Sequence, residues 1–187
     1  MEGLLSSNLL SKASIFGSGG SNIKSIQGGT TTLTSTSLDV AISSVDPNSS
    51  VLLFGFKGNL GLGYKYFETK GKIVDATTIN FSIYQYYGAA GDVPIYWQVI
   101  EFNNVKSIQK GDYSLAYNTG VSSVDISVTS LNVNKAILLP VSKRLNQDST
   151  NEPMITYAIK DSQNITIYKW HTSCPALALH WQLVEFK

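Results

Sequence analysis

The hexapeptide Trp97-Gln98-Val99-Ile100-Glu101-Phe102 returns near the end of the chain as Trp181-Gln182-Leu183-Val184-Glu185-Phe186, with aliphatic exchanges only. Both copies are rich in the aromatic and aliphatic residues that suit a pleated, half-buried surface. Strand geometry sends successive side chains to opposite faces. In the first copy Ile95, Trp97, Val99 and Glu101 fall on one side, and Tyr96, Gln98, Ile100 and Phe102 on the other. In the second, Leu179, Trp181 and Leu183 oppose His180, Gln182, Val184 and Phe186. A strand on the surface of a sandwich needs one apolar face. These strands have two, so the far side of each is expected to be covered by the sister copy or by another chain.

Working outward, more of the chain repeats in the same order. Ile23-Lys24-Ser25-Ile26-Gln27-Gly28-Gly29 matches Val105-Lys106-Ser107-Ile108-Gln109-Lys110-Gly111. Val51-Leu52-Leu53 matches Ile137-Leu138-Leu139, and Ile73 to Ile79 matches Ile159 to Ile165, at spacings of 82 to 86 residues. Such drift is what loops of changing length produce between fixed strands. Collinear matches define a tandem duplication. The chain therefore divides into an arm (1–22), a first repeat (23–103) and a second repeat (104–187). Only Asn103 to Lys106 join the repeats, a link short enough to hold them side by side.

Each repeat predicts short strands punctuated by turn residues. In the first these cover Thr30 to Thr36, Leu38 to Ser43, Ser50 to Lys57, Thr77 to Tyr87 and Pro94 to Phe102. In the second they lie near Asp112 to Tyr117, Val124 to Val128, Lys135 to Val141, Pro153 to Ile159, Asn164 to Trp170 and Pro175 to Phe186. No convincing helix interrupts them, so the expected fold is all-β: two tandem antiparallel β-sandwich units of about six strands each. Ahead of them, Leu4, Leu5, Leu9, Leu10 and Ile15 have rough helical spacing, and Phe16 to Ser21 reads as a flexible linker. This segment is either a frayed terminus or an anchoring arm that orders against a partner.

The 187 residues carry 14 Lys and Arg against 13 Asp and Glu, a net charge of +1, with only 14% charged residues. Neither nucleic acid nor an anionic membrane is an expected partner at that balance. No apolar run approaches the roughly 18 residues of a membrane span, and Met1 to Phe16 lack the pattern of a secretion signal. A single cysteine, Cys174, excludes an internal disulfide and a cysteine-based zinc knuckle. A surface so poor in charge and rich in Tyr, Ser, Thr and Asn suits contact with other protein, and self-assembly is expected.

A sandwich of six short strands whose last strand carries Trp among alternating apolar residues resembles the H-type lectin domain. The motif Trp-Gln-aliphatic-aliphatic-Glu-Phe, with an opening Ser-Ile-Gln-x-Gly, is similar to H-type-lectin-like repeats of tailed-bacteriophage virion proteins and their prophage relatives. The resemblance spans residues 23 to 187. It implies a homotrimer on the virion, assembled in the host cytoplasm, as a head fibre, capsid decoration or tail component docked on other virion proteins. Trp97 and Trp181 match the fold-building Trp of that family, whereas its sugar-contact residues have no counterpart matched here. Trp97, Phe102, Glu101 and their mates Trp181, Phe186 and Glu185 are accordingly the expected core and interface residues.

The search for chemistry yields little. His171 and His180 lack the close spacing of a helical zinc motif, and neither metal nor cofactor is expected. His171 lies close to Cys174, but the first repeat has no comparable pair, and an activated nucleophile also needs an orienting group. Glu101 and Glu185 are repeat mates, so one structural role played twice is expected of them rather than a catalytic pair. Gly58 to Gly63 has spaced glycines but no phosphate-loop Lys, and reads as a mobile hairpin loop. The protein is expected not to be an enzyme. Tyr64, Tyr66, Tyr86, Tyr87 and His171 remain as candidate contacts to a partner or ligand. They frame the alternative reading, a carbohydrate-binding tail module that recognises host-surface glycans.

Overall fold

The computed structural model describes residues 22–56, 66–85, 93–115, 123–146, 155–169 and 177–187. Among them every regular element is a strand, apart from one 3-10 turn at Val133–Lys135. The first repeat contributes β1 (Ile23–Leu33), β2 (Ser37–Ala41), β3 (Ser50–Phe56), β4 (Tyr66–Asp75), β5 (Thr78–Gln85) and β6 (Val93–Phe102). The second contributes β7 (Val105–Leu115), β8 (Ser123–Ser127), β9 (Ala136–Pro140), β10 (Ser142–Asn146), β11 (Ile155–Ile159), β12 (Asn164–Lys169) and β13 (Leu177–Phe186). All pairings are antiparallel. The fold is all-β, with two sandwich-like units.

In each unit the closing strand is the centre of a three-stranded sheet. The orders are β1-β6-β3 and β7-β13-β9. The opposing sheets are β4-β5-β2 and β11-β12-β8, and β10 joins the first of these across the unit boundary by pairing with β4. The core of the first unit gathers Leu33, Leu52, Phe54, Ile79, Phe81, Ile95 and Val99, with Phe54 and Phe81 edge to face at 5.4 Å. That of the second is split between Ile167 with Leu179, and Leu131, Ile165, Trp181 and Leu183.

Several strands differ from the sequence reading. β1 begins at Ile23 and β7 at Val105, so the opening motifs are themselves strand, and only Asn103 and Asn104 separate the units. Their Lys, Ser and Gln look like loop residues, but each side chain found a partner described below. β4 and β10 were not expected from a run such as Glu68-Thr69-Lys70-Gly71-Lys72. They form because β5 and the sister unit supply the pairing, a case where tertiary context overrides propensity.

Candidate functional site

The duplicated motifs face each other across β1 and β6, and again across β7 and β13. Ser25, Gln27 and Gly29 stand opposite Glu101, Val99 and Trp97 in register. Glu101 is buried, where its carboxylate accepts from Lys24 Nζ at 2.8 Å, Ser25 Oγ at 3.1 Å and the Asp46 backbone N–H at 3.0 Å. Glu185 repeats this with Lys106 Nζ at 2.9 Å, Ser107 Oγ at 3.4 Å and the Asn132 N–H at 2.7 Å. The Lys24 hydrogen bond, with the Asp46 N–H, holds Glu101 below the usual carboxylate range. Burial pushes Glu185 up, but the Asn132 N–H and Lys106 outweigh it and its pKa is also lowered. Both are ionised fasteners that tie the opening motif to a turn.

The motif glutamine is a second fastener. Gln27 donates from Nε2 to Ser43 O and accepts the Ser43 N–H, both at 2.8 Å. Gln109 does the same at Thr129, at 2.9 and 2.7 Å. The motif glycine is a seat for the tryptophan: a Cβ on Gly29 would lie 2.9 Å from Trp97 Cζ2, and one on Gly111 only 2.5 Å from Trp181 Cζ2. Trp181 is buried and Trp97 packs half-buried against the first core. Among the described residues neither indole N–H has a hydrogen-bond partner, so packing holds the rings.

The outer faces of the two closing strands differ sharply. In β13, His180, Gln182 and Val184 are all buried. Their cover comes from the first unit. Gln182 clamps the edge of β3, accepting the Leu52 N–H at 2.9 Å and donating to Leu52 O at 2.8 Å. Lys110 Nζ donates to Pro47 O at 2.7 Å. Desolvation lowers the Lys110 pKa to about 8, against the opposing pull of Asp46. Burial likewise lowers that of His180, partly offset by Asp112, whose carboxylate lies 3.1 Å from Nδ1. Val141 completes the seam: it is buried in the first unit's core, and its carbonyl accepts the Gly71 N–H at 3.2 Å.

In β6 the same positions lie open. Gln98 is exposed, and Tyr96 is 52%, Ile26 40% and Leu53 37% accessible. They line a groove of about 680 Å³ that also takes in Gly28, Gly55 and the flank of Trp97. Where the two outer faces converge, Phe102 and Phe186 meet edge to face with centroids 5.8 Å apart.

The structure thus brings Trp97, Phe102, Glu101 and their mates into two repeated constellations joined at the phenylalanines. Tyr66 lies on β4 opposite Asn146. Tyr64, Tyr86, Tyr87, His171, Cys174, the Gly58 to Gly63 stretch and Leu4, Leu5, Leu9, Leu10 and Ile15 of the arm lie outside the described residues. Sequence reasoning missed Gln98, Gln182, Lys110, Tyr96 and Leu53; the signal was an amide in the middle of an apolar strand, repeated at the same place. Among the described residues no three His, Cys, Asp or Glu come together as a metal site would need. No family model, curated protein or solved structure matches the chain.

Proposed function

We propose that this chain is a non-enzymatic structural protein of a tailed-phage virion, a head fibre, capsid decoration or tail component. On this reading its β-sandwich units associate as a homotrimer, and residues 1–22 dock it on the particle. The observation that carries it is the outer face of β13, where His180, Gln182 and Val184 are buried by the neighbouring unit and Gln182 clamps its edge strand. That surface is spent on assembly rather than on chemistry. The repeated Glu, Gln and Ser of the motifs support the same reading, because their functional groups are consumed in fastening strands. The low charge of the chain adds to it.

Mass spectrometry of purified particles tests the proposal. The chain is expected at a fixed ratio to the capsid protein, and a version lacking residues 1–22 is expected to stay folded but leave the particle. Absence of the chain from particles refutes the virion reading; retention of the truncated form refutes the arm's role. The groove beside Tyr96 and Gln98 favours a second reading, a glycan-binding module, since an aromatic face beside an amide suits a sugar ring. A glycan array with the intact protein addresses that reading, and no binding at millimolar sugar removes it.

A further inference from the structure

The two units bury and expose complementary halves of one contact. On the receiving side, Gln182 is buried beneath the edge of β3, while its repeat mate Gln98 is exposed. On the inserting side, Val51 beside Leu52 is buried, while its mate Ile137 beside Leu138 is 42% accessible. The registers agree. Leu52 stands opposite Val99 and Leu138 opposite Leu183, so Leu138 occupies on β9 the place that Leu52 holds on β3. Both β3 and β9 are edge strands of their sheets. The second edge follows suit: β4 is paired by β10 of the sister unit, whereas among the described residues β11 pairs only with β12.

Among the described residues one chain therefore carries a used edge on a used face, plus an open face on its first unit and an open edge on its second. The contact is heterologous, since the edge of one unit meets the face of the next. We propose that the open outer face of β1, β6 and β3 receives the β9 edge of a second copy of this chain, head to tail, in the way that β3 already sits on β13. Gln98 then clamps the Leu138 backbone of the neighbour, and Ile137 packs near Ile26 and Tyr96. This inference rests on the assembly reading above and names its partner surface.

Two further observations bear on it. Pro140 on β9 takes a backbone donor from that edge, which blunts open-ended strand addition and leaves a side-chain clamp as the way to engage it. Phe102 and Phe186 are repeat mates in contact, and mates touch only beside the axis that relates their units. Any rise per unit along that axis is limited to their 5.8 Å separation. The contact between copies lacks one bond of the internal one: Lys110 is replaced by Gly28. It is correspondingly the weaker seam.

Light scattering on the full chain between 5 and 200 μM tests the proposal. The wild-type mass is expected to be a multiple of 20.3 kDa. Gln98→Glu on the face, or Ile137→Lys on the edge, is expected to raise the concentration for association at least tenfold. Both residues are exposed within the chain, so urea midpoints measured at low concentration stay unchanged. Mixing the two variants then yields pairs and nothing larger, because the intact edge of one meets the intact face of the other while the remaining edge and face both carry a substitution. A wild-type mass of 20.3 kDa at 200 μM overturns the proposal, as does association that ignores both substitutions or an absence of pairs on mixing. Glycan binding lost in Gln98→Glu with association retained also overturns it and assigns the groove to sugar. Presence in particles is measured separately, so a failed docking model is distinguishable from a failed virion reading.

Discussion

Replacing Gln182 by Leu tests whether the seam between the units is held by its amide. Gln182 is 1% exposed, and its two hydrogen bonds to Leu52, 2.9 and 2.8 Å long, satisfy a backbone N–H and C=O that face away from β6. Leucine is close to glutamine in volume and more apolar, so transfer alone argues for stabilisation. The opposing effect is larger. Each buried backbone group left without a partner costs about 1–3 kcal/mol, which puts the net loss for two at roughly 2–4 kcal/mol. Gln182→Ala leaves space for water to rebond the same groups, so it is expected to cost less than Leu despite deleting more atoms. Gln98→Leu, on the open face, is expected to stay within about 0.5 kcal/mol of wild type. Urea unfolding at a few micromolar, fitted for midpoint and slope, reads all three. Equal midpoints for Gln182→Leu and Gln98→Leu refute the argument, and so does an Ala variant weaker than the Leu variant.

Two other expectations follow from the same geometry. Gly111→Ala drives a methyl to 2.5 Å from the Trp181 ring, against 2.9 Å for Gly29→Ala at Trp97. Overpacking predicts a loss of about 2–3 kcal/mol for the former and about 1 kcal/mol for the latter, read by thermal melts and tryptophan emission; equal effects refute the glycine-seat account. Lys110, depressed to about 8, is protonated in both folded and unfolded chains below pH 8. Between about 8 and 10.5 the unfolded chain holds the proton that the folded one has released, so stability rises with pH in that window. With allowance for partial solvation the rise is about 1–2 kcal/mol, and Lys110→Met is expected to abolish it relative to wild type. A variant with the same pH dependence as wild type refutes the assignment.

The all-β class and the duplication were legible in the sequence because strand periodicity and repeated motifs survive changes in loop length. The twofold apolar character of Ile95 to Phe102 and its mate was legible too. It called for a cover on both closing strands, which the sister unit supplies at β13, whereas the outer face of β6 stays open in this chain. The repeats were not enough to show which face is covered, since burial of Gln182 and exposure of Gln98 depend on a neighbour and not on the strand itself. β4 and β10 escaped notice for the same reason: their pairing partners lie at long range, and Lys70, Gly71 and Lys72 carry little strand propensity of their own. The glycine that seats each Trp is conspicuous only once the cross-strand register places Gly29 opposite Trp97 and Gly111 opposite Trp181.

The glutamine clamps at Ser43, Thr129 and Leu52 carry no net charge. Ionic screening acts on charges and reaches such amide-to-backbone bonds hardly at all. These amide stitches hold alike from fresh water to brine, while the Lys24–Glu101 and Lys106–Glu185 pairs beside them feel the salt.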